Sequence, residues 1–292
     1  MSRIIGDNFD QNIKYKLYRS VYEIIHPTIS KSNISSYKII VSEEILPLRV
    51  FYPTKISDLN SVIIFVAGDG EVSGCRNKYS DICREISLKC NQLVIALDYF
   101  NVENKFPNVL NRCYDSIKYL IEELNKNGIV REKITVMGDS TGANLVSAMM
   151  EMMQEKKEKL FDKSIILYPV LRGNYSKNTK YESIIKNEEF DLFLMDRVKK
   201  YMKEYVNNRR ELSNPLVNIL KYKNYSSFPD VLVVTGNLDP LRDEGREFAY
   251  KLIKCNPNSK YYNLNLAMHG FLKDEDKEIK RELYSVILDF LK

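Results

Sequence analysis

A serine with a glycine two positions away on either side is the strongest chemical signal in the sequence. It is Ser140, in the pentapeptide Gly-Asp-Ser-Thr-Gly at 138–142, between an apolar run with strand character and a helix-forming stretch that starts at Thr141. Small residues at these spacings let the chain turn sharply from strand to helix while the serine side chain projects outward. The free amides at the start of the helix would stabilise negative charge at the same point. The pattern predicts that Ser140 is a nucleophile, and the alternative is a plain glycine-rich turn.

A serine nucleophile needs a base to take its proton, and the sequence contains two histidines. His269 follows the strand-like segment 261–266 and begins a His-Gly-Phe turn, so the loop after the last strand would bring it to the carboxyl edge of a sheet. His26 is followed by Pro27 at the end of an N-terminal helical stretch, where a satisfied or exposed histidine is the ordinary explanation. We therefore assign the base to His269, with a surface-loop histidine as the alternative.

A buried carboxylate is required to hold the imidazole in the correct tautomer. Asp239 meets this requirement, because it follows the apolar run 231–235 in the stretch Gly-Asn-Leu-Asp-Pro. Its alternative role is that of a helix N-cap, since aspartate before proline is a common helix start. Asp243 is the reserve candidate. The resulting chain order, Ser then Asp then His, is that of α/β-hydrolases.

The elements that must position these residues alternate along the chain. Short apolar runs rich in β-branched residues, typical of buried parallel strands, lie at 62–67, 92–97, 134–137, 165–168 and 231–235. Stretches with helical spacing, such as 109–124, separate them. This alternation predicts an α/β fold with a mostly parallel central sheet and helices on both faces. Segments 38–43 and 48–52 predict an antiparallel edge hairpin, and 279–291 predicts a helix packed onto the core.

Two segments do not fit the sheet: residues 1–35, which have an amphipathic helical pattern, and residues 173–212, which are rich in Lys, Asn, Tyr and Phe. We expect both to form a helical cap over the carboxyl edge of the sheet, where α/β folds bind ligands. The second would contain a helix from Phe193 to Val206. The chain would then be a single domain, with its catalytic core formed by 36–172 and 213–292. The alternative is that both segments only cover a flank.

Composition and charge exclude several classes of protein. Hydrophobic residues make up 44% of the chain and charged residues 28%, as in ordinary soluble proteins. The 44 Lys and Arg and the 39 Asp and Glu are dispersed, which argues against nucleic-acid binding. Five cysteines without a C-x-x-C pair predict neither a disulfide framework nor a zinc site. With no signal-peptide pattern and no membrane-length apolar run, we expect a cytoplasmic protein without membrane insertion.

Several motifs together resemble the hormone-sensitive-lipase-like family of carboxylesterases. GDSTGANL is similar to that family's GDSAGGNL, and LDYFNVENKFPNVLNRCYD to its DYRLAPE segment and the helix that follows. LYPVL, SNPL, TGNLDPLRDEG and MHGF follow in matching order, so the resemblance covers most of the chain. It implies the α/β-hydrolase fold, a cap over the pocket and hydrolysis of carboxylic esters.

The sequence departs from that family where the family has HGGG, because this chain has Ala-Gly-Asp-Gly at 67–70. The resemblance maps the family's oxyanion-hole donors onto the backbone amides of Asp69, Gly70 and Thr141. A carboxylate about 4 Å from a developing oxyanion would repel it by roughly 4 kcal/mol at an effective dielectric near 20. We therefore expect the Asp69 side chain to point away from the oxyanion hole. The DYRLAPE segment is also altered, having lost a proline.

The residues and the resemblance together predict a serine carboxylesterase that hydrolyses small to medium acyl esters through an acyl-enzyme intermediate. Its partner would be a small-molecule ester, and no metal or organic cofactor would be required. Two alternatives stay open: an amidase or formamidase with the same triad, and a catalytically weak ligand-binding protein on a hydrolase scaffold. The sequence does not determine the physiological substrate, the acyl-chain length or the oligomeric state, for which a homodimer is one option.

Overall fold

A mostly parallel sheet is the framework of the molecule. The structure, a computed structural model, describes residues 37–39, 46–53, 61–68, 75–99, 105–126, 133–176 and 179–292. The eight strands in these ranges are β1 (Tyr37–Ile39), β2 (Leu48–Phe51), β3 (Ser61–Val66), β4 (Leu93–Leu97), β5 (Lys133–Asp139), β6 (Lys163–Leu167), β7 (Asp230–Gly236) and β8 (Lys260–Leu264). They are ordered β1-β2-β4-β3-β5-β6-β7-β8 across the sheet. The pairs β1–β2 and β2–β4 are antiparallel and the other pairs are parallel, which confirms the predicted sheet and its antiparallel edge.

Helices cover both faces of the sheet. In the described ranges they are α1 (Cys75–Cys90), α2 (Asn108–Lys126), α3 (Ser140–Lys156), α4 (Ser183–Lys186), α5 (Leu194–Tyr205), α6 (Arg242–Cys255) and α7 (Lys277–Leu291). Short 3₁₀ turns lie at Glu188–Phe190, Glu211–Ser213, Ile219–Lys221 and Phe271–Lys273. The helical segments predicted at 109–124 and 279–291 are confirmed as α2 and α7. No helix in the described ranges has both the length and the apolar character needed to cross a membrane.

Alternate side chains of each central strand pack against different helix layers, because successive residues of a strand point to opposite faces. In β3, Ile63 and Phe65 pack with the buried side chains of α1 and α7, whereas Ile64 and Val66 pack with those of α2, α3 and α6. The strand is therefore buried on both faces. This explains why the central strands appear in the sequence as continuous apolar runs instead of alternating patterns.

The carboxyl ends of β5, β7 and β8 meet at one edge of the sheet, because these strands are parallel. β5 runs directly into Ser140, Asp239 follows β7 and His269 follows β8. The predicted end of the last strand was wrong: β8 ends at Leu264 and does not reach Leu266. The backbone of Leu266 has φ of +55°, in the left-handed region that strands do not use.

Of the two predicted cap segments, residues 173–212 include α4, α5, the 3₁₀ turn Glu188–Phe190 and the start of the turn Glu211–Ser213. The helix predicted between Phe193 and Val206 is α5, and it buries Leu194, Val198 and Met202 on one side. Residues 1–35 lie outside the described residues. The division of the chain into one domain with a two-part cap therefore stays a prediction.

Glu151 provides a test of stability against pH. Its side chain on α3 is fully buried, and neither carboxylate oxygen has a hydrogen-bond partner among the described residues. Burial, with repulsion from Glu155 as a smaller cause, raises the pKa of Glu151 from 4.5 to about 9. The folded protein therefore holds a proton that the unfolded chain releases above about pH 4.5, and folding stability falls as pH rises from there towards 9.

We expect Glu151→Gln to stabilise the fold relative to the native chain, by an amount that grows with pH. Since one pKa unit corresponds to about 1.4 kcal/mol, the gain should increase by up to about 4 kcal/mol between pH 5 and pH 8. Urea unfolding at the two pH values measures it. Glu122→Gln, which changes an exposed glutamate of α2, is the matched control and should show little difference. An equal effect of Glu151→Gln at both pH values would contradict the assignment of a buried neutral carboxyl.

Candidate active site

Ser140 lies at a sharp turn between β5 and α3. Its backbone has φ of +50°, a strained conformation for a residue with a side chain. The turn brings α3 against β3 so closely that a Cβ atom at Gly142 would lie 2.2 Å from the carbonyl oxygen of Val66. A Cβ at Gly138 would lie 2.8 Å from the backbone of Gly142. Glycine is required at both positions for steric reasons, while Ser140 stands at the tip of the turn.

Three side chains from distant parts of the chain form a hydrogen-bonded relay. Ser140 Oγ lies 3.0 Å from His269 Nε2, and His269 Nδ1 lies 2.9 Å from Asp239 Oδ2. The Asp239 side chain is fully buried and that of His269 is 9% exposed. A carboxylate that accepts from Nδ1–H leaves Nε2 without a proton, so Nε2 can accept the proton of the serine hydroxyl. The structure thus brings together the three residues predicted as nucleophile, base and acid.

Asp239 uses its two oxygens for two different contacts. Oδ2 accepts from the imidazole, and Oδ1 accepts a hydrogen bond of 2.7 Å from the Leu241 amide in the turn that leads into α6. The alternative considered from the sequence, that Asp239 is a helix N-cap, is not what the structure shows: the N-cap of α6 is Leu241, and Asp239 contacts the amide of that residue. The reserve candidate Asp243 instead accepts from the Ser183 amide and pairs with Arg242. Its carboxylate is engaged with the cap segment.

The imidazole is also held from the side. The ring of Tyr168 packs edge-on against the imidazole of His269, with ring centroids 5.0 Å apart. The ring of Phe271 also packs edge-on against Tyr168, with ring centroids 4.5 Å apart. Tyr168 follows β6 with φ of +33°. The sequence contained Tyr168 in the LYPVL motif, but the motif alone did not indicate that this tyrosine contacts the base.

Asp139, the residue before the nucleophile, is fully buried, and three donor groups lie within hydrogen-bond distance of its carboxyl oxygens, one of which, the Tyr79 hydroxyl, also lies 2.9 Å from the Gly68 carbonyl oxygen. The Gly68 amide donates to Oδ1 at 2.6 Å, and the hydroxyls of Tyr79 and Tyr168 lie 2.8 and 2.9 Å from Oδ2. Burial raises the pKa of Asp139, while Lys273 and these donors oppose the rise. Sequence reasoning missed this cluster, because the tyrosines belong to elements far from the pentapeptide in the chain.

Gly68 leads from β3 into the segment predicted to supply oxyanion-hole donors. Asp69 and Gly70, two of the three predicted donors, lie outside the described residues. The third, Thr141, is in the first turn of α3, where backbone amides have no acceptor within the helix. The amide of Thr141 is therefore available beside the nucleophile, and the roles of Asp69 and Gly70 stay predictions.

Ser140 and His269 open into a cavity of about 490 Å³ at the carboxyl edge of the sheet. One wall is formed by α5, through Leu194, Arg197, Val198 and Tyr201. The loop after β8 contributes the other wall, through Met268, Phe271 and Lys273. A volume in this range suits a small organic ligand, and the apolar side chains can hold a hydrocarbon group.

Other parts of the described structure do not offer a comparable centre. A groove of about 670 Å³ lies at the opposite edge of the sheet, beside Lys133, Lys163 and Asp230, where β5, β6 and β7 begin. It contains none of the three relay residues. Within the described ranges, no group of three or more His, Cys, Asp or Glu side chains could hold a metal ion.

Comparison with known proteins places this geometry among hydrolases. An arylesterase of Saccharolobus solfataricus is 28% identical over 262 residues, which are 88% of this chain and 84% of that protein. The carboxylesterase NlhH of Mycobacterium tuberculosis is 21% identical over 232 residues, covering 78% of this chain and 71% of that protein. Both relatives thus span most of the chain.

Solved structures share the same fold. A structure of arylesterase superposes with a TM-score of 0.74 at 25% identity, covering 99% of this chain and 97% of the other. The hyperthermophilic esterase from Pyrobaculum calidifontis superposes with a TM-score of 0.75 at 23% identity, covering 96% and 89%. The resemblance to hormone-sensitive-lipase-like carboxylesterases is confirmed. Residues 63–273, well over half of the chain, match the family model described as the alpha/beta hydrolase fold, and the chain belongs to that family.

Proposed function

We propose that the chain is a serine carboxylesterase that hydrolyses small to medium acyl esters through an acyl-enzyme intermediate. The observation that carries the proposal is the relay of Ser140, His269 and Asp239, with contacts of 3.0 and 2.9 Å at the end of an open cavity. Relatives named arylesterase and carboxylesterase support the same activity.

In the proposed reaction, Ser140 Oγ attacks the ester carbonyl carbon while His269 Nε2 takes the hydroxyl proton. Negative charge develops on the carbonyl oxygen at the start of α3, where the Thr141 amide donates; the amides of Asp69 and Gly70 are the other proposed donors. The protonated imidazole then gives its proton to the leaving alcohol as the ester C–O bond breaks. His269 then deprotonates a water molecule, which attacks the acyl carbon; the bond between that carbon and Ser140 Oγ breaks, the imidazolium returns its proton to Oγ, and the acid is released. Asp239 stabilises the imidazolium in both halves.

The size preference follows from the cavity. Its volume of about 490 Å³ accommodates a short or medium acyl group together with an alcohol group, and Leu194, Val198 and Met268 supply apolar contacts. A long fatty acyl chain would extend beyond the walls formed by α5 and the loop after β8. We therefore place the best substrates among short and medium acyl esters.

We also propose a small-molecule ester as the ligand, without nucleic-acid partners, and a cytoplasmic location. The dispersed charge of 44 basic and 39 acidic residues supports the absence of nucleic-acid partners. Free thiols in the described ranges, at Cys83, Cys90, Cys113 and Cys255, support the cytoplasmic location.

Labelling with a fluorophosphonate probe, together with a substrate panel, tests the activity. We expect the native chain to be labelled and Ser140→Ala not to be labelled. We expect p-nitrophenyl butyrate and hexanoate to be hydrolysed with a higher kcat/KM than palmitate, and an aryl formamide to be hydrolysed more slowly than either. A folded native chain that is neither labelled nor active would instead indicate a binding protein, and a preference for the formamide would indicate an amidase.

A further inference from the structure

The end of α4 contacts the backbone of the turn that carries Asp239. Asn187 follows the last residue of α4, and its side chain is 6% exposed. Its Nδ2 donates to the carbonyl oxygens of Asn237 and Asp239, at 3.0 Å in both cases. Ser183, one helical turn earlier and fully buried, donates through Oγ to the Pro240 carbonyl at 2.8 Å. The cap segment, residues 173–212, is therefore bonded directly to the turn of the acid.

The two partners of the Asn187 side chain determine which group must face the turn. Both partners are backbone carbonyl oxygens, which accept hydrogen bonds and cannot donate. An NH₂ group has two hydrogens and can serve both acceptors at once, whereas an oxygen in its place would be repelled by both. The contact thus depends on a side chain that donates twice, which few residue types can do.

The turn is held by contacts of two kinds. The first are local: the Asp239 amide donates to the Gly236 carbonyl at 3.2 Å, and the Arg242 amide donates to the Asp239 carbonyl at 3.1 Å. These bonds move with the turn. The second come from other parts of the chain: the Leu238 amide donates to the Ala267 carbonyl in the loop after β8, and Asn187 donates from α4. The second kind fixes the place of the turn relative to the rest of the site.

The Asp239 carbonyl that Asn187 binds belongs to the same residue as the carboxylate of the relay. That carboxylate must stay 2.9 Å from His269 Nδ1, and the strength of such a hydrogen bond falls as its distance and angle depart from the optimum. A shift of the Asp239 peptide would carry the carboxylate with it. Asn187 is not among the residues that line the cavity, so its influence on the reaction would pass through Asp239.

We propose that Asn187 is a positioning residue: by bonding the carbonyls of Asn237 and Asp239, it fixes the turn at which the Asp239 carboxylate orients His269. The inference rests on the proposed esterase function. It gives the cap segment a part in the chemistry as well as in forming the cavity. The effect of Asn187 should appear in kcat, and not in the binding of ester substrates.

Asn187→Leu tests the proposal, because leucine has a similar size and no donor. Arg242 still donates to both carbonyls, through Nη1 to Asn237 and through its amide to Asp239, so neither is left without a partner. With p-nitrophenyl butyrate we expect kcat to fall by about tenfold and KM to stay within about twofold of the native value. Thermal unfolding verifies that the variant is folded.

Two further measurements separate positioning from a general loss of structure. In the Asp239→Asn background, Asn187→Leu should lower kcat by less than about twofold more, because the residue it positions no longer orients the base. In proton NMR spectra of the native chain, the His269 Nδ1–H bound to a carboxylate should give a downfield resonance that Asp239→Asn removes. In Asn187→Leu this resonance should move upfield as the hydrogen bond weakens.

The matched control is Asn207→Leu, since Asn207 is an asparagine of the same cap segment that also donates to a backbone carbonyl, that of Phe106. It should keep kcat near the native value. If Asn187→Leu does not fold, Asn187→Asp takes its place in every measurement. It has the same shape, and we expect at least as large a loss of kcat, because a carboxylate would face two carbonyl oxygens.

The outcomes are separable from those for the proposed function. If the native chain hydrolyses no ester, the esterase function fails, while the Nδ1–H resonance still reports whether Asn187 positions Asp239. If the native chain is active and Asn187→Leu equals it in kcat, this inference alone is overturned. A raised KM with unchanged kcat, or full additivity with Asp239→Asn, would also overturn it. An equal loss in Asn207→Leu would assign the effect to the cap segment as a whole.

Discussion

Ser140→Ala is expected to lower kcat for p-nitrophenyl butyrate by about a million-fold, as the loss of a hydrolase nucleophile does. The alanine fits the same backbone turn, but no atom then lies 3.0 Å from His269 Nε2 to attack the carbonyl. His269→Ala should cost about as much, because a serine without a base is a weak nucleophile. The double variant should be no slower than either single variant, since the two residues act as one unit.

A second serine on α3, Ser147, is the matched control for the Ser140→Ala variant. Ser147 is fully buried on α3, about two helical turns after the nucleophile, and it donates to the Ala143 carbonyl. Ser147→Ala should leave kcat near the native value. Additive losses in the Ser140 and His269 double variant would show that the two side chains do not work together, and the relay would have to be abandoned as the catalytic unit.

Asp239→Asn is expected to lower kcat by about ten-thousand-fold while the fold is retained. The amide keeps the shape of the carboxyl, and its oxygen can still accept from Leu241. Its NH₂ group cannot accept from His269 Nδ1–H, so the imidazole adopts the other tautomer and presents a protonated Nε2 to Ser140. A serine that faces N–H cannot transfer its proton. Steady-state kinetics with p-nitrophenyl butyrate measure the loss.

Asp243→Asn is the matched control, because Asp243 is also buried but is bound to Ser183 and Arg242 in the direction of the cap segment. The Asp243→Asn variant should have a lower free energy of unfolding than the native chain and a kcat within about tenfold of the native value. The reverse pattern, with Asp243→Asn inactive and Asp239→Asn active, would exchange the roles of the two carboxylates.

The meeting of Ser140, Asp239 and His269 at one edge of the sheet was predictable because each residue has a local pattern. Ser140 lies in a strand–turn–helix pentapeptide, while Asp239 and His269 each follow a recognisable strand. Parallel strands place their carboxyl ends on one edge, so the pattern of elements was enough to bring the three together. The central strands were predictable for a related reason, since burial on both faces requires continuous apolar runs.

The cluster around Asp139 was not predictable in the same way. Tyr79 lies on α1, and whether it faces Asp139 depends on the rotation of that helix on the sheet. Lys273 is in no recognised motif, and its contact with Tyr79 arises from the path of the loop after β8. Contacts of this kind are set by tertiary packing between elements, for which a single sequence has no local signal.

The wall that α5 contributes to the cavity comes from residues 194, 197, 198 and 201, which share one side of a helix because of its 3.6-residue period. The relay, in contrast, lies beyond the carboxyl ends of three strands: Ser140 begins α3 directly after β5, and Asp239 and His269 lie in the turns after β7 and β8. The α5 wall is therefore a part of the cavity that contributes no relay residue, whereas the loop after β8 supplies both His269 and the opposite wall. Under the proposed function, we expect substitutions along this helical stripe to change which esters enter the cavity while the contacts among the serine, the imidazole and the carboxylate stay intact.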